Sequence, residues 1–205
     1  GGQPLIEAGE GVCILFTDGL RYDLGQRLSG RLEGKGCRVT IRHRWAALPS
    51  VTPTAKPAVT PVADQIVGKV LGEHFAPEFE ESGRIANVAN LRTAMKDRGY
   101  QILDPKRLDN SPESQSAHGW MEDGDIDQVG HDRQIMLANS INDELDRLAT
   151  RITGLIDAGW KAVRIVTDHG WLLLPGGLPR VNLPKHLTES RWARCAVLAG
   201  AANPD

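Results

Sequence analysis

The chain has 205 residues, of which 40% are hydrophobic and 24% charged, a composition that is typical of a globular domain and excludes disorder, collagen and coiled coil. Its 24 Lys and Arg against 26 Asp and Glu leave a formal charge of −2, which excludes the global basic field typical of nucleic-acid-binding chains. The longest apolar runs have about five residues, whereas a membrane span needs ~20. We therefore expect no membrane-spanning segment.

The cysteines and the chain ends bear on location and on domain organisation. Cys13, Cys37 and Cys195 are odd in number and far apart, which favours a reducing, cytoplasmic compartment over a disulfide framework or a zinc ribbon. The chain begins with Gly-Gly, without Met or a signal peptide, and stops shortly after an apolar run. We expect residues 1–205 to be a single domain of a longer protein.

Four elements are predicted in the first part of the chain. The short apolar run 11–16, bracketed by glycine, predicts a buried strand. Leucines at every fourth position predict a helix over 20–31. Alternating apolar and polar residues predict a strand with one polar face over 37–46, and the two prolines of 48–54 predict a loop.

The rest of the chain repeats the alternation of helix and strand. Residues 60–125 are rich in Pro, Gly, Glu and Ser, and are predicted to form an insertion or cap. A helix is predicted over 137–158, followed by strands at 162–166 and 195–198. Strands that alternate with amphipathic helices indicate an α/β architecture with a mostly parallel sheet.

Acidic side chains follow two of the predicted strands. Asp18 and Asp168 each lie two residues beyond an apolar strand, and His169 comes directly after Asp168. In parallel sheets, ligands bind beyond the carboxyl ends of the strands. An aspartate in this position is also a common turn former or helix N-cap, so Asp18 alone would carry little weight.

Two further groups complete a candidate constellation. Asp127 and His131 are four residues apart with a glycine between them, and His186 lies in a predicted loop. An acidic loop around Asp127 and a surface position for His186 are the simple alternatives. Taken together, however, the carboxylates and imidazoles are ligand types that zinc and manganese accept.

Three motifs in this order resemble a known family. The segments 18–23 (DGLRYD), 48–54 (LPSVTPT) and 166–170 (VTDHG) look like the PglZ domain of the alkaline phosphatase superfamily, which occurs in bacterial phage-defence systems of the phage-growth-limitation and BREX type. The resemblance extends over about 11–198. It implies an alkaline-phosphatase-like three-layer core with a mostly parallel sheet, and other phage-defence proteins as partners.

The resemblance also implies two divalent metal ions, with zinc favoured and manganese as the alternative. The implied ligands are Asp18, Asp168, His169 and the nucleophile's hydroxyl for one ion, and Asp127, His131 and His186 for the other. The nucleophile in this branch is a Ser or Thr directly after a proline, with a Thr two residues later. Ser50 matches that pattern, while Thr52 and Thr54 stay open as alternatives.

The function implied is a metal-dependent phosphohydrolase. Metal coordination lowers the pKa of a hydroxyl nucleophile, and two cations offset the charge that develops on the phosphoryl oxygens. The Asp-x-x-Gly-His element at 127–131 resembles nucleotide phosphodiesterases, so we expect phosphodiesters such as nucleotides or oligonucleotides as substrates. Arg21 and Lys56 are the candidate contacts to the substrate phosphate.

Two other functions remain open, and two more are disfavoured by the sequence. The main alternative is a non-catalytic interaction module of a defence complex, in which the metal only stabilises the fold. A cofactor-independent mutase remains open but would need a longer chain. A sulfatase is disfavoured because no Arg stands two residues after Pro53, and a Rossmann-type nucleotide binder lacks its G-x-G-x-x-G.

Overall fold

The structure is a computed structural model that describes residues 9–68, 76–107, 109–124, 126–127, 135–171, 188–191 and 196–198. The strands are β1 (Val12–Phe16), β2 (Ile66–Val67), β3 (Glu78–Phe79), β4 (Tyr100–Leu103), β5 (His118–Glu122), β6 (Ala162–Val166), β7 (Thr188–Arg191) and β8 (Ala196–Leu198). The helices are α1 (Tyr22–Gly34), α2 (Thr52–Ala58), α3 (Val88–Asp97) and α4 (Ile135–Asp157).

A parallel four-stranded sheet in the order β4-β5-β1-β6 is the centre of the fold. Successive residues of β1 point to opposite faces, as the pleat of a strand requires. Cys13 and Leu15 pack in a cluster with the buried leucines of α1 and α4, while Ile14 and Phe16 pack with Leu91 and Met95 of α3. The prediction of an α/β fold with a mostly parallel sheet is confirmed.

The strongest sequence patterns correspond to elements of the structure. The predicted strands at 11–16 and 162–166 are β1 and β6, and the predicted helices at 20–31 and 137–158 are α1 and α4. In these two helices, the leucines and isoleucines buried in the core are Leu24, Leu28 and Leu32 of α1 and Ile141, Leu145, Leu148, Ile152 and Leu155 of α4, because helical spacing puts them on one side of each helix. Within the described ranges, every helix is too short or too polar to cross a lipid bilayer.

The predicted strand at 37–46 is wrong. These residues form neither helix nor strand, and most of their side chains are exposed. Both hydrogen-bonding edges of β1 are taken by β5 and β6, so the segment cannot pair beside the strand that precedes it. Only Cys37 and Val39 pack against the core, which shows that alternation alone does not make a strand.

Three other predicted segments differ in detail. The loop predicted at 48–54 turns into α2 at Thr52, with a proline in the first turn where the helix tolerates one. Part of 195–198 is strand β8, but it pairs antiparallel with β7 in a separate two-stranded sheet. Both β4 and β5 come from 60–125, so two strands of the segment predicted as an insertion or cap belong to the central sheet itself.

Candidate metal centre

The carboxyl ends of β1 and β6 bring the two predicted aspartates together. Phe16 and Val166 are paired across the parallel ladder, so Asp18 and Asp168, each two residues further on, reach the same edge of the sheet. The two turns are tied by a hydrogen bond of 3.0 Å from the Thr17 N–H to the Val166 carbonyl. The site is therefore anchored to β1, whose last four residues are buried.

Asp127 reaches this edge because Gly19 leaves room for it. Gly19 has a φ of +67°, and a Cβ there would lie 2.9 Å from the Cβ of Asp127. Only glycine adopts this backbone conformation without strain. On the same side, the Trp171 Nε1–H donates to the Gly19 carbonyl at 2.8 Å, which holds the turn against the residues that follow β6.

His169 is oriented by its own backbone environment. Its Nδ1 lies 3.1 Å from the Gly170 carbonyl, and because a carbonyl oxygen can only accept, Nδ1 carries the proton. The lone pair of the neutral imidazole is then on Nε2. This atom lies 3.3 Å from Asp18 Oδ1 and 3.8 Å from Asp168 Oδ2, and the side chain is 1% exposed.

The cluster has the composition and spacing of a metal site. Asp18, Asp127 and His169 offer ligand atoms that all lie within 4.8 Å of one another, so this group could hold a metal ion. Among the described residues, Asp18 Oδ1 and Asp168 Oδ2 are buried without any hydrogen-bond donor. Buried carboxylate oxygens are costly without a donor or a cation. Oxygen and imidazole donors in this arrangement therefore fit a divalent cation such as zinc or manganese.

The negative charge of the cluster and its burial change the pKa of Asp18. Burial and, after it, the neighbouring carboxylates of Asp168 and Asp127 together raise the pKa of Asp18 to about 7, against a smaller opposing effect of Lys56. Desolvation and like charges both disfavour the ionised carboxyl. A bound cation would reverse this effect because it stabilises the ionised form.

Of the three candidate hydroxyls, the structure brings Thr52 to the cluster. The Thr52 hydroxyl lies 3.0 Å from His169 Nε2 and donates to its lone pair. The Thr54 hydroxyl instead donates to the backbone carbonyls of Pro49 and Val51, as side chains near a helix start often do. Ser50, which the sequence pattern favours, is exposed. Because α2 begins at Thr52, its first residue is the one that faces His169.

The structure does not keep the two implied ligand sets apart. Asp127, implied as a ligand of the second ion, lies with Asp18 and His169, so one cluster contains members of both sets. His131 and His186 lie outside the described residues. The structure therefore groups Asp18, Asp127 and His169, with Asp168 Oδ2 3.8 Å from His169 Nε2.

The two predicted phosphate contacts have distinct positions. The Arg21 guanidinium lies 4.3 Å from the centre of the Trp171 ring and forms an ion pair of 2.5 Å with Asp23. Lys56 is four residues after Thr52, hence on the same face of α2. Its ammonium group is buried, 2.7 Å from Glu122 Oε2 and 4.5 Å from the centre of the Phe16 ring. Lys56 thus lies beside the cluster and Arg21 at its margin.

Glu122 and Asp123 are site residues that the sequence analysis missed. They stand at the carboxyl end of β5, next to β1 in the sheet, so the rule that selected Asp18 and Asp168 would have selected them too. Strand β5 was hidden in the predicted insertion. Although burial alone would raise the pKa of Glu122, hydrogen bonds from Lys56 and Arg92 hold it below its usual value.

Comparisons with protein-family models, with curated proteins and with solved structures find no match to this chain. The chemistry of the site is therefore interpreted from its own donors, distances and charges. Its defining feature is a buried group of carboxylates and one oriented imidazole, with the hydroxyl of Thr52 in contact with that imidazole.

Proposed function

We propose that this chain is a metal-dependent phosphoester hydrolase that acts on phosphodiesters such as nucleotides or oligonucleotides, with Thr52 as its nucleophile. The observation that carries the proposal is the Thr52 hydroxyl 3.0 Å from His169 Nε2, beside buried carboxylate oxygens that lack donors. This hydroxyl is well placed as a nucleophile beside a cation.

The residues that would hold a cation are Asp18, Asp127, Asp168 and His169. We propose two divalent ions, zinc in preference to manganese, with His131 and His186 completing the second set as the motif resemblance implies. When bound, such ions lower the pKa of a coordinated hydroxyl and offset the negative charge of the phosphoryl group. The nearby carboxylates keep the site selective for cations when no substrate is present.

The chain's own residues orient the reacting hydroxyl. Thr52 is β-branched and restricted at χ1, and its hydroxyl oxygen lies 3.0 Å from His169 Nε2, which places it beside the residues that would hold a cation. Attack of this oxygen on phosphorus, with loss of the hydroxyl proton to water, would form a phosphodiester to Thr52 and break the bond to the leaving alkoxide, which takes a proton from water. Water would then hydrolyse the bond to Thr52 and restore the hydroxyl. The Gly170 carbonyl keeps His169 in one tautomer throughout.

The biological setting is proposed from the motifs alone. The segments 18–23, 48–54 and 166–170 resemble the PglZ domain, so we propose a cytoplasmic role in bacterial anti-phage defence, together with other defence proteins. The hydrolytic reaction can be tested independently of this setting.

Hydrolysis of bis(p-nitrophenyl) phosphate, measured with zinc or manganese, tests the nucleophile. We expect Thr52→Ala to lower kcat/KM by at least about 1,000-fold, since loss of a nucleophile removes the covalent route. Ser50→Ala is the matched control and should retain activity within about threefold, because Ser50 is exposed. Both variants should keep their metal. The opposite pattern, with Ser50→Ala inactive and Thr52→Ala active, would assign the reaction to Ser50.

A second candidate function is a metal-stabilised module without turnover. It is favoured by the position of the cluster, which joins the turns after β1 and β6 to the start of α2, so that a cation would tie three segments together. In that case zinc would raise the melting temperature of the wild type, and no phosphodiester would be hydrolysed. Thr52→Ala would then leave the metal-dependent stabilisation unchanged.

A further inference from the structure

An open cleft leads away from the candidate metal centre. It has a volume of about 430 Å³ and extends from Asp18 along the carboxyl end of β5 toward α4. Small-molecule sites commonly have volumes of ~300–1,000 Å³, so the cleft has room for a nucleotide-sized group. Four cationic side chains contribute to its lining, namely Lys56, Lys106, Arg147 and Arg151.

Two carboxylates of the cleft, Glu122 and Asp123, are already neutralised by basic side chains. Asp123 accepts from Arg147 at 2.7 Å and from Arg151 at 2.8 Å. Glu122 in the same way accepts from Lys56 at 2.7 Å and from Arg92 at 3.1 Å. Every carboxylate oxygen in the lining at this end therefore has a cationic donor, in contrast to the orphaned oxygens of the metal centre.

The charge balance of this region is positive. Among the residues that line the cleft, the four cationic side chains stand against three carboxylates, namely Asp18, Glu122 and Asp123. The whole chain, by comparison, has a formal charge of −2. A local excess of cations beside an acidic metal centre favours an anion that reaches from one to the other.

Lys106 is the cation in the cleft that no internal ion pair explains. Its side chain is exposed, and it has no ion-pair partner among the residues that the structure describes. Two hydrogen bonds hold the backbone of the loop that carries Lys106. The Lys106 N–H donates to Asp104 Oδ1 at 2.9 Å, and Arg151 donates to the Pro105 carbonyl at 2.6 Å. A fixed loop therefore presents an uncommitted ammonium group to the cleft.

We propose that this basic cleft, lined by Lys56, Lys106, Arg147 and Arg151, binds a second phosphate of the substrate, adjacent to the one at the metal centre. The proposal rests on the proposed phosphoester hydrolysis and narrows its substrate class. Simple diesters with one phosphate would use only the metal centre. Nucleotides and oligonucleotides with two neighbouring phosphates would use both sites and bind more tightly.

Equilibrium binding measured by calorimetry on the zinc-loaded protein tests this assignment. The probes are adenosine 5′-monophosphate and adenosine 3′,5′-bisphosphate, which differ in one phosphate. We expect the bisphosphate to bind about 10-fold more tightly to the wild type, as a charge-assisted contact with a lysine would provide. The preference should shrink as salt rises from ~50 to ~200 mM, because the cleft is open to solvent.

Lys106→Gln removes the uncommitted charge without breaking an internal contact, so the variant should fold as the wild type does. We expect it to lose most of the bisphosphate preference while it binds the monophosphate normally. Lys96→Gln is the matched control, since Lys96 is exposed on α3 and does not line the cleft. It should keep the preference.

The outcomes separate this proposal from the proposed function. If the protein prefers the bisphosphate through Lys106 but hydrolyses no diester, the proposal of a second phosphate site is upheld and the proposed hydrolase function is refuted. If the protein hydrolyses diesters but binds the two probes with equal affinity, the proposal of a second phosphate site is refuted and the proposed hydrolase function is upheld. Loss of the preference in Lys96→Gln as strong as in Lys106→Gln would also refute the second phosphate site, and so would failure of both probes to bind.

Discussion

Acidic residues at the carboxyl ends of three neighbouring strands, β5, β1 and β6, lie in two opposite electrostatic environments. Beyond β1 and β6, Asp18 and Asp168 have buried oxygens without a donor among the described residues. Beyond β5, Glu122 and Asp123 each accept hydrogen bonds from two basic side chains. The same sheet edge thus has an acidic half and a neutralised half.

The comparison distinguishes carboxylates that are placed to bind a cation from carboxylates that form ion pairs within the protein. At the neutralised half, hydrogen bonds from Lys56 and Arg92 outweigh burial and hold the pKa of Glu122 below its usual value. At the acidic half, burial and neighbouring carboxylates raise the pKa of Asp18 to about 7. An arrangement that leaves buried carboxylates unpaired is unfavourable unless a cation completes it.

The largest expected effect concerns metal content. Asp168→Asn should lower zinc affinity by at least about 100-fold, because it removes a buried anionic donor from the cluster. Asp123→Asn is the control from the other half and should keep its metal, since Asp123 is held by Arg147 and Arg151. Elemental analysis after dialysis against micromolar zinc measures both. Equal metal content in Asp168→Asn and the wild type would mean that the acidic half is not a metal site.

A smaller effect, on the free energy of unfolding, is expected when the ion pairs of the neutralised half are removed. Lys56→Met should lower the free energy of unfolding by about 2–3 kcal/mol, below the full cost of breaking a buried pair because Glu122 keeps Arg92 and Trp120 as donors. Arg92→Met removes the other partner of the same carboxylate, but Arg92 is 47% exposed, so its loss should cost no more than about 1 kcal/mol. Urea unfolding compares the two. A larger loss in Arg92→Met would reverse the assigned order.

The sequence was sufficient for the elements whose patterns are local. Apolar runs that end two residues before Asp18 and Asp168 predicted β1 and β6, and the regular spacing of leucines predicted α1 and α4. Because parallel strands share an edge, the sequence also predicted that these aspartates meet. These inferences needed no information about distant pairings.

The rest depended on contacts that no local pattern encodes. Residues 37–46 alternate like a strand, yet β5 and β6 already occupy both edges of β1. Ser50 and Thr52 are two residues apart in the same motif, and only the start of α2 decides which hydroxyl faces His169. The position of Asp127 depends on its packing against Gly19, more than 100 residues away in the chain.

The smallest expected effect is on the pH dependence of the metal-free protein. The folded-state pKa of Asp18 is raised to about 7 from a reference value of 3.8, so between these values the folded chain binds more protons than the unfolded chain. Its stability therefore falls as pH rises through this window. Asp18→Asn removes the penalty and should stabilise the metal-free protein more at pH 8 than at pH 5, by about 1–2 kcal/mol.

Asp64 supplies the control of opposite sign. Its hydrogen bond with Arg98 lowers its pKa, so its contribution to stability is present above the unfolded pKa and is lost as pH falls. Asp64→Asn should therefore cause a small loss of stability at pH 8, where Asp18→Asn causes a gain. Thermal unfolding in chelator at pH 5 and pH 8 measures both variants. With saturating zinc the advantage of Asp18→Asn should reverse, because only the wild type gains binding free energy from the ion. If Asp18→Asn instead lost stability in chelator at pH 8, its carboxylate would have a protein partner and the acidic half would resemble the neutralised one.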